Sequence, residues 1–228
     1  CIEAGIAPER VVTIYSPIDV EAFKRVAPEK RKEIRERFNI PLQATVVGLA
    51  GQVTAYKGQE EFLQAALNLA PEYPEAHFLV AGSIFGEDNQ AYFERCWEAV
   101  RASPQVEQFH YIGFQEDMPG LMKAIDILVI SSSKEGFGRV AVEGMAAGCD
   151  VIGTNAGGIP EIICDGKNGS LVPPKDPNAL RDALKLHLDN PETRAQYARN
   201  GSETAERFSI PRHVAEMQQF YKSLVLSR

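Results

Sequence analysis

The feature that most constrains the fold of this chain is a set of short apolar runs that do not alternate in polarity. Residues 44–50 (ATVVGLA), 76–81 (AHFLVA), 127–130 (ILVI) and 150–154 (DVIGT) are apolar at nearly every position. A strand with one wet face shows a period of two, so runs without that period are strands buried on both faces. Runs at 106–112 and 170–172 extend the series to six. Helical stretches separate them at 57–69, where Phe62, Ala65, Ala66 and Leu69 share a face, and at 89–101, 118–124, 138–147 and 159–164. Strand–helix repetition of this kind means a parallel sheet with right-handed crossovers. The sequence therefore predicts an α/β fold, an open doubly wound parallel sheet (Rossmann-like) of about six strands with helices on both faces. In such sheets ligands sit at the carboxyl ends of the strands.

The flanks read differently. A short strand is expected at 10–15 and a charged helix at 29–38, whose interleaved charges predict a solvated face. After Pro173-Pro174, helices are expected at 177–188, 191–207 and 211–226, each opening on a proline close to a capping-type residue. On the last of these, Val214, Met217, Phe220, Tyr221 and Leu224 form an apolar strip that is exposed unless the helix packs back on the domain.

The 228 residues suffice for one large α/β domain or two small ones, and the formal charge of −7 argues against non-specific binding to nucleic acid. Cys1, Cys96, Cys149 and Cys164 lack Cys-x-x-Cys spacing, which leaves a zinc site or redox pair unsupported. They read as buried free thiols, which suit a reducing, cytoplasmic compartment. No run approaches the ~18 apolar residues needed to span a bilayer, and no transmembrane segment or secretory leader is read. Asn168-Gly-Ser170 and Asn200-Gly-Ser202 read as turns. The first residue is Cys1 rather than Met, so the sequence is expected to be a fragment or a processed product.

Chemistry concentrates in Glu135-Gly-Phe-Gly-Arg-Val-Ala-Val-Glu143-Gly-Met-Ala-Ala-Gly148, directly after the fourth strand. Gly136 and Gly138 allow a backbone free of side-chain crowding. A helix starting near Gly138 points the first amides, those of Gly138, Arg139 and Val140, outward as an anion site suited to a diphosphate. Glu143, about one and a half turns into that helix, can accept hydrogen bonds from a ribose diol, as acidic residues do in other Rossmann-like sites. Lys57, at a helix start, is placed unfavourably against the helix dipole unless an anion lies nearby. No Asp-x-Asp pair and no His-Glu-x-x-His occurs, so no metal site is read, and His77 and His110 are taken as structural. The first strand ends in Gly48-Leu-Ala-Gly51-Gln-Val, which does not give the Gly-x-Gly-x-x-Gly of a nicotinamide dehydrogenase.

The glutamate pair resembles the Glu-x7-Glu signature of retaining glycosyltransferases of the two-Rossmann-domain (B) fold, family 4 (group 1). Gly51-Gln-Val-Thr-Ala-Tyr-Lys57-Gly58 is similar to that family's Gly-Arg…Lys-Gly loop, with Gln52 where the family usually has arginine. Val80-Ala81-Gly82, Ile112-Gly113-Phe114, Ala124-Ile-Asp126, Gly157-Gly158-Ile-Pro160-Glu161 and Asp165-Gly-Lys-Asn-Gly169 continue the resemblance over roughly residues 5–225. The resemblance implies a C-terminal donor-binding domain: residues 1–20 as the end of an N-terminal domain and linker, 21–210 as the nucleotide-sugar-binding domain, 211–228 as a helix crossing back. It implies Lys57 and Glu135 as catalytic residues. Gly51, Gln52, Gln115, Gly136, Phe137, Gly138, Arg139, Val140 and Glu143 would bind the donor. The implied activity is retaining, metal-independent sugar transfer from a UDP-, GDP- or ADP-sugar to an unidentified acceptor, with no cofactor. The N-terminal acceptor domain of the same polypeptide is the implied partner, and this chain alone is expected to be inactive. The other reading is a stand-alone nucleotide-sugar-binding or regulatory module.

Overall fold

The computed structural model describes residues 5, 7 and 11–226. Six strands, β1 (Thr45–Ala50), β2 (Ala76–Ala81), β3 (Phe109–Tyr111), β4 (Ile127–Ile130), β5 (Asp150–Thr154) and β6 (Ser170–Val172), form one sheet in the order β3-β2-β1-β4-β5-β6. Every pairing is parallel. Among the described residues ten α-helices accompany them: α1 (Val20–Lys24), α2 (Pro28–Arg37), α3 (Gln59–Leu69), α4 (Glu87–Arg101), α5 (Met118–Ala124), α6 (Arg139–Ala147), α7 (Ile159–Ile162), α8 (Pro177–Asp189), α9 (Pro191–Ala205) and α10 (Ile210–Leu226). The expected open, doubly wound sheet is the fold observed.

The non-alternating runs are explained by two cores, one on each face of the sheet. Val46, Leu79, Leu128, Ile130 and Val151 point into one, against residues of α1, α5 and α6. Val47, Leu49, Phe78, Val80, Ile127, Val129 and Ile152 point into the other, against α3, α4 and α8. Successive residues of a strand face opposite ways, so a strand covered on both sides is apolar at every position. The small residues of α6 let it lie close on β4: a Cβ at Gly144 would stand 2.3 Å from Leu128 Cδ2.

Several expectations are corrected. The predicted strand at 10–15 is not found: residues 11–16 have no regular structure, residue 10 lies outside the described residues, and only Ile18 makes a bridge, to Ser209. That segment runs beside α10 and the turn before it rather than beside a sheet strand. The third strand shortens from 106–112 to Phe109–Tyr111, because 106–108 form a 3-10 turn and the strand pairs on one side only. The helix expected from Lys57 starts at Gln59, after a 3-10 turn at Ala55–Lys57 and a left-handed Gly58 (φ 76°). The helix expected to run to residue 207 stops at Ala205 and gives way to a 3-10 turn, Glu206–Phe208. Cys96 and Cys149 are buried as expected, but Cys164 is exposed, in the turn after α7.

The largest correction concerns α2. Its charged face is not all solvated: Arg35 is fully buried. All five guanidinium donors are used. Nε and Nη2 donate to Ala124 O (3.1 and 2.9 Å), Nη1 to Leu42 O (2.9 Å) and Ala44 O (2.7 Å), and Nη2 also to Asp126 Oδ2 (2.7 Å). The same carboxylate accepts from Val46 N (2.8 Å) and, on its other oxygen, from Arg31 Nη2 (2.8 Å). This cluster ties α2, the end of α5 and the start of β1 together on the amino-terminal side of the sheet. Also on that side, His77 Nδ1 lies 2.8 Å from His110 Nε2, and burial lowers the pKa of both, His110 to about 4. Fully buried His187 bridges Asp150 and Ser170, the first residues of β5 and β6.

Candidate functional site

The strand order reverses between β1 and β4, and the loops leaving their carboxyl ends diverge from that point. Such a switch point opens the crevice in which doubly wound sheets bind ligands. Three hydrogen bonds from two serines fix the loops to each other. Ser131 Oγ donates to Gly58 O (2.7 Å) and Lys57 O (3.1 Å), and Ser133 N donates to Tyr56 O (2.8 Å). The turn carrying Lys57 is thereby held against the loop carrying Glu135, and the side chains meet: Lys57 Nζ lies 2.6 Å from Glu135 Oε2. Ser132 Oγ donates to the same carboxylate oxygen at 3.3 Å.

A third loop, after β5, braces the second. Gly158 N donates to Glu135 O at 3.0 Å. Gly157 has φ +56°, and a Cβ there would lie 1.8 Å from that same carbonyl oxygen. Only glycine permits this approach in this backbone conformation. Gly138, left-handed at φ 90°, is the N-cap of α6, and no side chain caps that helix start. Backbone amides at an uncapped helix start form a site for an anion.

Within α6, Arg139 Nε lies 2.8 Å from Glu143 Oε1. The Arg139 side chain is 67% exposed and that of Glu143 only 9%. Burial pushes the Glu143 carboxyl above the usual range, and the Arg139 contact opposes that shift. A cleft of about 380 Å³ opens beside α6 at the ends of β1, β2 and β3. Gly51, Gln52, Gln115 and Val140 line it, together with Phe85 and Phe114. Both phenylalanines stand out from the surface, 64% and 65% exposed. Gln115 Nε2 donates to Ile112 O (2.6 Å), and Gln52 O accepts from Gln59 Nε2 (3.0 Å), which orders the cleft wall.

Eight of the residues singled out in the sequence thus fall into three places. Lys57 and Glu135 touch, Arg139 and Glu143 touch, and Gly51, Gln52, Gln115 and Val140 share the cleft. Phe137 is turned elsewhere: its ring packs on Tyr15 (5.6 Å between centroids) and Phe208 (5.3 Å), so its side chain does not line the cleft. Phe85 was not read as a site residue, and Phe114 entered only as the end of Ile112-Gly113-Phe114; the signal available was an aromatic residue directly after, or three residues after, the glycine that closes a strand. Among the described residues there is no group of three or more His, Cys, Asp or Glu side chains placed to hold a metal ion, and no helix long and apolar enough to cross a membrane.

Fold and crevice together define a Rossmann-like domain with an uncapped helix start at its switch point. Residues 30–204 match the family described as "Glycosyl transferases group 1", and the chain belongs to that family. It is 30% identical over 219 residues to a D-inositol 3-phosphate glycosyltransferase of Corynebacterium urealyticum, covering 94% of this chain and 51% of the relative. A protein of the same name from Corynebacterium kroppenstedtii is also 30% identical, over 96% of this chain and 49% of its own length. The chain therefore spans about half the length of the curated relatives it matches. Among solved structures, Anabaena HepE in complex with UDP superposes with a TM-score of 0.88 at 26% identity, over 98% of this chain and 60% of that one. The C-terminal domain of a group 1 glycosyl transferase (LpcC) from Francisella tularensis superposes with a TM-score of 0.76 at 30% identity, over 85% of this chain and 99% of that domain.

Proposed function

We propose that this chain is the nucleotide-sugar-binding half of a glycosyltransferase that transfers a sugar with retention and without a metal ion. The observation that carries the reading is the convergence of Lys57, Glu135, the uncapped start of α6 and buried Glu143 along one crevice beside an apolar cleft. The relatives named above are glycosyltransferases by name, and HepE is a structure with UDP bound, which supports the ligand class.

In this reading the diphosphate lies over the amides of Arg139 and Val140, and the ribose lies at Glu143. The base enters the cleft flanked by Phe85 and Phe114. Lys57 leaves its contact with Glu135 to meet the phosphates, where it stabilises the charge that builds on the departing diphosphate. Glu135, freed, faces the donor sugar. The acceptor attacks from the face the diphosphate leaves, and a leaving phosphate oxygen takes the acceptor's proton. Gln52 supplies an amide but no charge where the family usually has arginine, so Arg139 is the nearby cation to share that role. We assign residues 1–20 to the end of an N-terminal domain and linker, 21–210 to the donor domain and 211–228 to a crossing helix. The acceptor wall belongs to the N-terminal domain, the enzyme works in the cytoplasm, and the 228-residue chain alone does not transfer sugar. Its charge-neutral Gln52 is the one feature that favours the second reading, a binding or regulatory module without transfer.

Calorimetric titration with UDP, GDP and ADP and their sugars tests the core of this reading. At least one binds, and Lys57→Met lowers its affinity about tenfold, the scale of one hydrogen bond to a charged group. A folded sample that binds none of them at millimolar concentration sinks the proposal. Sugar transfer by this chain at the rate of the longer polypeptide would refute the division of labour.

A further inference from the structure

Phe137 sits between Gly136 and Gly138, in the loop that carries Glu135. Glycines on both sides leave that stretch with little restraint of its own. What holds the half-buried ring is an aromatic cluster from outside the sheet. Tyr15 stacks on Phe137 (5.6 Å, 27° between planes), and Phe208 meets both rings edge-on, at 5.4 Å from Tyr15 and 5.3 Å from Phe137. Tyr15 is itself anchored. Its carbonyl lies 2.9 Å from His213 Nδ1 on α10, and three residues on, Ile18 N donates to Phe208 O at 2.9 Å. Its hydroxyl donates to Glu161 Oε2 on α7 at 2.5 Å. The hydrogen bond to Glu161, with burial, raises the phenol pKa, so the group stays a donor through neutral pH.

We infer that Tyr15 is a positioning residue for the glutamate loop: its ring fixes Phe137 and its hydroxyl fixes α7, whose leading glycines grip the Glu135 carbonyl. Two routes converge on one residue. The ring route runs Tyr15, Phe137, Glu135 along the loop. The hydroxyl route runs Tyr15, Glu161 and the Gly157-Gly158 turn, where Gly158 N meets Glu135 O at 3.0 Å. The Lys57–Glu135 geometry is therefore set in part by a segment without regular structure that lies outside the sheet and is bonded to α10. A shift of residues 15–18 relative to the sheet withdraws support from Phe137 and loosens Glu135. Ligand affinity in the crevice is in this way coupled to the placement of the segments at 15–18 and 206–213. The affinity part of the inference rests on the donor-binding reading; the loop-positioning part does not.

The test compares Tyr15→Ala and Tyr15→Phe with the unaltered 228-residue chain, by hydrogen exchange without ligand and by calorimetry with UDP. Tyr15→Ala speeds exchange in residues 134–140 and 157–162 and leaves β4 and β1 at their original rates. Tyr15→Phe keeps the ring stack, so 134–140 stay protected while 159–162 exchange faster. UDP affinity falls about tenfold in Tyr15→Ala, the scale of losing two ring contacts, and less than about threefold in Tyr15→Phe. Unchanged exchange at 134–140 in Tyr15→Ala overturns the inference. So does an equal rise across the sheet strands, which would mean general loosening rather than positioning. If the exchange pattern holds but the unaltered chain ignores UDP and the other diphosphates, the donor-binding reading fails and the loop assignment stands.

Discussion

Replacing Glu143 by glutamine separates binding from stability in a way the structure makes quantitative. The carboxylate is 9% exposed, its partner is Arg139 Nε at 2.8 Å, and burial raises its pKa. Glutamine is nearly isosteric, so the cavity is unchanged. Ribose hydroxyls that donated to a charged acceptor would donate to a neutral amide, and the difference between those two classes of hydrogen bond is about 1–2 kcal/mol, or about five- to thirtyfold in Kd. Stability moves the other way or not at all. Removing a buried charge relieves its desolvation, and the exposed Arg139 regains water, so the unfolding free energy changes by less than about 0.5 kcal/mol or rises. The pH dependence follows from the same shift. With the folded pKa above the unfolded value, the unfolded chain releases the proton first, so the native chain loses stability as pH rises from the unfolded to the folded pKa. Nucleotide affinity, which needs the ionised form, falls as pH drops through the raised pKa. Both dependences vanish in Glu143→Gln. Calorimetry and urea unfolding across the acid range measure them. Unchanged nucleoside-diphosphate affinity, or affinity and stability falling together, would refute the ribose assignment.

Three other outcomes are expected. Gly157→Ala adds a Cβ 1.8 Å from Glu135 O at a left-handed backbone position, so it costs at least about 1–2 kcal/mol in urea unfolding and weakens nucleotide binding by displacing Glu135; full retention of both contradicts the loop brace. Arg35→Met leaves Asp126 and three backbone carbonyls without the guanidinium and destabilises the fold by about 3–5 kcal/mol, while nucleotide affinity in material that remains folded stays the same; a loss under about 1 kcal/mol would mean the cluster relaxes. EDTA leaves nucleotide binding unchanged, since a lysine and helix amides meet the phosphate charge; loss with EDTA and recovery with Mg²⁺ would overturn the metal-free reading.

The sequence by itself determined what depends on neighbours along the chain. The bounds of β4, β5, β6 and α5 follow from polarity runs and turn residues, and runs buried on both faces leave a parallel, doubly wound sheet as the way to cover them. The glutamate spacing on α6 and the glycines before it were legible for the same reason: helix pitch and cap chemistry are local. Tertiary structure decided which distant groups meet. Lys57 touches Glu135 across 78 residues because Ser131 and Ser133 dock the turn at 55–58 onto the next loop. Phe137 reads as part of a ligand loop yet packs on Tyr15 and Phe208, because two flanking glycines fix no direction for it and the segments that do come from both ends of the described chain. Arg35 sits in a helix whose charge pattern looks solvated. Its burial becomes stable only when Leu42, Ala44, Ala124 and Asp126 arrive to take its five donors, and three of those five bonds go to residues about ninety positions away. A periodic pattern reports which side of an element is apolar; it carries no information about a polar partner that the sheet order brings in from elsewhere.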